Sequence, residues 1–323
     1  VLPALTGPVW GYRTKGRLGV KDVIKKGRVL VGFREKYSPY VADLAACEVL
    51  HPSIGKRIEE LAQLIGQLEG RARIPQIEVA VAGSITALVF RHLDPLSHWD
   101  LGRLKQYAME RQLHVYLQPA GPDSVQPLWP EQSVLSYQLP AESIEIRFEP
   151  TDFTQINTAI NEQMVARVLD LLALDSNDTV LDLFCGLGNF TLPMARHAGA
   201  VIGVEGDAGL VGRARDNAAL NGLENTTFHS ANLADKNAAA VWADTACNKV
   251  LLDPPRSGAV EVLDVLAKMR PQRIVYVSCH PGSLARDAGT LVSEKGYRLL
   301  SAGVMDMFPH TAHVESIALF EAG

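Results

Sequence analysis

Cys279 ends an apolar run, Tyr276-Val277-Ser278-Cys279-His280-Pro281, and is the residue best placed for covalent chemistry. A thiolate, not a thiol, is the nucleophile. The N-terminus of a helix expected to start near Gly282 predicts a thiol pKa below the ordinary value. Asp253-Pro254-Pro255-Arg256-Ser257-Gly258 ends the preceding apolar run. In an open α/β sheet both runs end on the edge where ligands bind. Acidic-Pro-Pro turns that serve methylation of exocyclic amines carry an aromatic after the prolines to stack on the base. Arg256 stands there, which disfavours amine chemistry. A carboxylate near the chain's end, Glu315, could act as a base beside the same edge. His310 and His313 precede it, but no further ligand completes a metal site. Cys185 and Cys247 read as buried structural cysteines.

A second constellation is Asp182-Leu183-Phe184-Cys185-Gly186-Leu187-Gly188-Asn189-Phe190, which follows a predicted strand and opens a predicted helix. Its glycines permit a tight turn and close approach of a ligand to the backbone. A dinucleotide fingerprint needs a third glycine, where this chain has Thr191. Asp182 before the loop would repel a pyrophosphate. Glu205, ending the next strand, can accept hydrogen bonds from both ribose hydroxyls. The pattern favours S-adenosylmethionine over NAD. Asn232, after the following strand, is either an adenine contact or a turn residue.

These motifs need a frame. From 151 to 323 strands and helices alternate: strands at 179–184, 200–204, 226–229, 249–252 and 273–278, and helices at 160–172, 190–197 and 208–220, the last capped by Asp207 and stopped by Gly222. Such alternation predicts an open parallel sheet covered on both faces. Two closing strands, 297–302 and 314–320, have no helix between them. They predict an antiparallel edge, a mark of class I methyltransferases rather than of dehydrogenases. Residues 1–150 read as a smaller α+β domain. Strands fall at 28–33, 77–81, 87–90 and 114–117, and helices at 54–68 and 99–111.

Composition narrows the partners. The net charge of −5 argues weakly against nucleic acid, but Gly11–Lys36 holds nine basic residues against two acidic ones, with Trp10, Tyr12 and Tyr37 in or beside it. That stretch is either a solvated strand face or a surface for phosphates and bases. No apolar run has the length of a membrane span, and no secretory signal is present. The four cysteines are too dispersed for a zinc or disulfide framework, which fits a reducing, cytoplasmic setting. A start at Val1 without Met reads as a fragment or a processed form.

At 182–190, 253–258, 278–281 and 308–315 together, the sequence resembles the RNA 5-methyluridine methyltransferases, nearest to the bacterial branch that acts on 23S rRNA. The likeness runs from Trp10-Gly11-Tyr12-Arg13 to the end and is strongest after Phe153. It implies a class I (Rossmann-like) domain over 151–323, preceded by the α+β domain over 1–150 as an RNA contact. It also implies S-adenosylmethionine-dependent methylation of uridine C5 through a Cys279–C6 adduct, with Glu315 as base. Cofactor contacts would be Gln155, Phe184, Asn189, Glu205, Asn232 and Asp253. The expected substrate is 23S rRNA, with tRNA, or an RNA-binding fragment inactive without an upstream region, as alternatives. A cytoplasmic monomer is expected. His280 replaces the family's usual Asn, with little effect expected. Cys47 matches one of four iron–sulfur cluster ligands. The clustered other three, and the barrel that accompanies them, are not in this sequence, so a cluster is expected only in a full-length protein.

Overall fold

The computed structural model describes residues 1–235 and 241–323. The chain forms two compact units. One comprises residues 8–137 and 148–158, the other residues 1–7, 138–147 and 159–323, so the division is not a single cut near 150.

The first unit is built on strands β1 (Lys15–Val23), β2 (Arg28–Gly32), β3 (Gln76–Ala82), β4 (Ile85–Arg91), β5 (His114–Gln118) and β6 (Gln126–Trp129). Their order is β2-β1-β3-β4-β5-β6. All neighbouring pairs are antiparallel except β4 and β5. A parallel pair needs a long crossover, and helix α3 (His98–Arg111) supplies it, capped by the Ser97 side chain. The expected helix at 54–68 is a one-turn α1 (Pro52–Gly55) followed by α2 (Ile58–Gly66). Leu18, Val31, Ile58, Leu61, Ile65, Leu88, Phe90 and Leu104 form the core. The basic stretch is mostly the β1–β2 hairpin. Leu18, Val20, Val29 and Val31 point into the core, while Arg17, Lys21, Lys25, Lys26 and Arg28 face solvent. Cys47 is the one cysteine of this unit and is half-buried.

Two short strands, β7 (Leu135–Leu139) and β8 (Ile144–Phe148), pair where the chain passes between the units. After them come α4 (Thr158–Leu172), β9 (Thr179–Leu183), α5 (Thr191–Ala195), β10 (Ala200–Glu205), α6 (Ala208–Leu220), β11 (Thr226–Ser230), β12 (Lys249–Leu252), α7 (Val260–Met269), β13 (Arg273–Ser278), α8 (Pro281–Ser293), β14 (Tyr297–Met305) and β15 (Glu315–Ala322). The sheet of the second unit runs β11-β10-β9-β12-β13-β15-β14. Its first five strands are parallel, and the two closing strands are antiparallel. β12 throughout and β9 from Val180 onward are buried, as expected of parallel strands covered on both faces. Asp207 caps α6 by accepting from the amides of Gly209 and Leu210 (2.7 and 3.0 Å). Gly222, at φ +64°, follows its end. Residues Leu2 and Leu5 hydrogen-bond alongside β14 and cover its outer edge. Among the described residues no helix is long and apolar enough to cross a membrane.

Candidate active site

Strand register brings the chemistry together. Ser278 of β13 pairs with Ser316 of β15. Antiparallel pairing then places the next residues, Cys279 and Glu315, side by side at the carboxyl end of the sheet. Asp253 follows β12 on the other flank of β13, its amide donating to Leu183 O at the end of β9 (3.4 Å). Asp182 lies on β9, opposite Leu251 and Gly203. One edge of one sheet thus holds a thiol and three carboxyls.

Their electrostatics are unusual. Glu315 is 5% exposed, and burial pushes its carboxyl up to about 7. Its Oε2 has no hydrogen-bond partner among the described residues. Asp182 is fully buried; burial and the charge of Glu205 raise it to about 7, although Thr191 Oγ1 donates to its Oδ2 (2.5 Å). Its Oδ1 also has no partner among the described residues. Burial, then the charges of Glu315 and Asp182, raise Asp253 well above the ordinary carboxyl value. An unpaired buried carboxylate is costly, so each shifts toward its neutral form.

The same row decides the thiol. Cys279 is half-buried, and its pKa is raised, by burial first and then by Glu315 and Asp253. The lowering expected from the helix N-terminus is therefore corrected. Desolvation and two neighbouring acids outweigh the favourable backbone contact and the exposed Arg256, which act the other way. α8 does begin directly after this cysteine. Its cap is His280, whose Nδ1 accepts from the Ser283 amide (3.1 Å). Histidine here performs the capping role usual for Asn.

The glycine-rich loop turns sharply after β9. Phe184 sits at φ +69°, Gly186 at +54° and Gly188 at +91°. A side chain at Gly186 would meet nothing within 4 Å, so the backbone is open to a ligand there. Glu205 braces the turn: its two oxygens accept from the amides of Gly186 (3.1 Å) and Asp207 (3.0 Å). Each oxygen keeps acceptor capacity for a further donor. Asn189 does not stand free. It exchanges two 2.9 Å amide hydrogen bonds with the buried Asn161 of α4. The exposed Asn232 accepts from the Ala234 amide (3.1 Å), an Asx-type turn. Gln155 belongs to the other unit, where it is half-buried. Cys185 and Cys247 are both buried. Among the described residues no three His, Cys, Asp or Glu side chains converge on a metal position, His310 and His313 included.

Sequence reasoning missed Asn161 and Thr191. Asn161 left a signal: it is a polar residue beside Ile160, Met164, Val165 and Val168 on the buried face of α4. Thr191 was noticed only as the place of an absent glycine.

A cationic ligand suits this edge. The open Gly186 backbone, the Glu205 carboxylate and the unpaired oxygens of Asp182 and Glu315 together match a hydroxylated ribose and a positively charged group.

Residues 71–322 match the family described as tRNA (Uracil-5-)-methyltransferase. The chain is 54% identical over 321 residues to the 23S rRNA (uracil(1939)-C(5))-methyltransferase RlmD of Xanthomonas campestris pv. campestris, covering 99% of this chain and 72% of that one. The RlmD of Methylococcus capsulatus is 55% identical over 320 residues, with the same coverage. Among solved structures, Pyrococcus abyssi tRNA (uracil-54, C5)-methyltransferase in complex with S-adenosyl-L-homocysteine aligns with a TM-score of 0.77 at 22% identity. It covers 98% of this chain and 78% of that one. At this identity the likeness speaks for the fold, a class I methyltransferase domain with a further α+β unit.

Proposed function

Because the chain belongs to the tRNA (uracil-5-)-methyltransferase family, and is thus an RNA uracil-C5-methyltransferase, we propose that it methylates C5 of a uridine in 23S rRNA through a covalent bond from Cys279. The names of its 54–55% identical relatives support the rRNA substrate. The observation that carries the chemistry is the register pairing that sets Cys279 beside Glu315, within electrostatic reach of Asp253.

Uracil C5 is a poor nucleophile by itself. The Cys279 thiolate adds to C6, forming an S–C6 bond and pushing the electron pair of the C5–C6 bond toward C5 and the O4 carbonyl. S-adenosylmethionine, when bound, supplies an electrophilic methyl group for C5. Glu315, held near neutrality by burial, removes the remaining C5 proton, and the electron pair left behind expels Cys279. A carboxyl at about 7 is matched to accepting a proton near neutral pH. Asp253 and Asp182 line the edge with carboxyl oxygens, and Glu205 and Gly186 form the cradle for the ribose. Phe184 at the turn, Asn189, held by its pairing with Asn161, and Asn232 complete the proposed cofactor contacts of this unit. The target base must leave its stack to reach the thiol. The exposed lysines and arginines of the β1–β2 hairpin, with Tyr37 and Tyr40 beyond it, suit the phosphates and bases of an RNA.

The test is release of tritium from rRNA labelled at uridine C5, with S-adenosylmethionine present and Cys279→Ala alongside. Release by the parent and none by the variant is expected. Release from labelled tRNA but not rRNA would move the substrate. Equal release by both proteins would remove Cys279 from the mechanism.

A further inference from the structure

Asp287 of α8 is fully buried, yet the steps above do not use it. It follows Leu284 by three and precedes Leu291 by four, so a charge occupies the buried face of an amphipathic helix. Its Oδ2 accepts from the Ala259 amide (2.8 Å) and from Tyr276 OH (2.7 Å). Its Oδ1 accepts from Arg286 Nε (2.8 Å) and pairs with Arg286 Nη2 (2.7 Å). Nη2 also donates to Ser257 O (2.7 Å). Gly258, at φ +89°, lies against this pair so tightly that an added Cβ would fall 2.4 Å from Arg286 Nη2 and 2.6 Å from Asp287 Oδ2.

Three pieces meet on one carboxylate. Ser257–Ala259 end the loop that carries Asp253 and Arg256, both of which act electrostatically on Cys279. Tyr276 belongs to the strand that leads into Cys279. Arg286 and Asp287 stand on the helix that starts after it. A buried carboxylate with this many donors is a rigid joint.

We infer that Asp287, with Arg286, is a positioning residue for methyl transfer, clamping the Asp253–Gly258 loop against β13 so that loop and thiol keep one geometry. The inference rests on the role proposed above for Cys279. It predicts that loosening the joint changes the surroundings of the thiol before it changes substrate binding.

The test uses the full chain with Asp287→Asn, Arg286→Lys and, as a comparator, Asp178→Asn, which weakens a buried ion pair at the opposite end of the sheet. One readout is the pH profile of Cys279 alkylation by iodoacetamide, followed on the peptide containing Cys279, with neither RNA nor methyl donor present. The other is kcat and KM for tritium release. For Asp287→Asn the alkylation midpoint should fall by about half a pH unit or more toward the ordinary thiol value, as burial and the hold of Asp253 relax. Its kcat should fall by about ten- to a hundred-fold, with KM for RNA little changed. Arg286→Lys should show both changes in smaller degree, and it decides the matter if Asp287→Asn does not fold. Asp178→Asn should lower the melting temperature and leave both readouts at parental values. An unmoved alkylation midpoint in the folded Asp287 or Arg286 variant would overturn the inference, as would the same two changes in Asp178→Asn. A shifted midpoint with no tritium release even from the parent would uphold the clamp and refute the uridine chemistry instead.

Discussion

Asp178, just before β9, and Asp182, near its carboxyl end, lie four residues apart, and they have opposite fates. At the amino end, Asp178 accepts from Lys249 Nζ (2.6 Å), the Asn248 amide (2.6 Å) and the Asp175 amide (2.7 Å). Burial alone would raise its carboxyl, but these donors hold it below the ordinary value. At the carboxyl end, Asp182 has Thr191 and an orphaned oxygen, and it rises to about 7. One end of the sheet satisfies its charge and builds structure. The other leaves charge unsatisfied, which costs stability and creates a place where a cation or a proton is welcome.

The largest effect expected from this contrast is on chemistry. Glu315→Gln should slow tritium release by about a hundred- to ten-thousand-fold. The adduct should still form and then persist, because the C5 proton has no acceptor, and a denaturation-resistant protein–RNA band in a gel would report it. Wild-type release rates would remove Glu315 as the base. Next is stability at the satisfied end. Lys249→Met leaves Asp178 without its cation and should cost roughly 3–5 kcal/mol in denaturant unfolding. Asp182→Asn removes an acid that is already unfavourable as a charge and should cost far less. Similar losses from the two would erase the contrast.

Acidity sharpens it further. The folded-state values of Glu315 and Asp182 lie above those of the unfolded chain. Their contribution is therefore fully present below about 4 and is lost as pH rises through about 7. Asp178 runs the other way, contributing above about 4 and losing its contribution as pH falls through its lowered value. Between about pH 4 and 7, the double variant Glu315→Gln, Asp182→Asn should therefore lose less stability with rising pH than the parent, as read by melting temperature. Turnover should climb through neutrality in the parent, since base and nucleophile both need to lose protons. The smallest effect concerns the helix after the thiol. His280→Ala should cost about 1 kcal/mol, and His280→Asn should restore it, because either His or Asn can cap the Ser283 amide. A loss in His280→Asn equal to that in His280→Ala would show that the ring does more than cap.

Much of the frame was legible in the chain. The buried face of α4, the Asp207 cap, the parallel order and the antiparallel ending all follow from periodicity and punctuation, which are local properties. The strands β1, β6, β7 and β8 were less legible. β1 alternates core residues with glycines and basic residues, and β6 and β7 carry few buried positions. The candidate site residues could also be named, because their motifs sit at strand ends.

By itself, the sequence determined which side chains arrive at the carboxyl edge of the sheet: Cys279, Asp253, Asp182, Glu205 and Glu315. It could not determine which of the acids would find partners there. Thr191 reaches Asp182 from nine residues away, Asn161 reaches Asn189 from 28, and Lys249 reaches Asp178 from 71. The sequence placed Cys279 before a helix and so predicted an acidified thiol. Only the tertiary structure set two buried acids beside it and reversed the sign. Protonation depends on the surroundings in space, desolvation and neighbouring charge above all, and those surroundings come from strands and helices far apart in the chain.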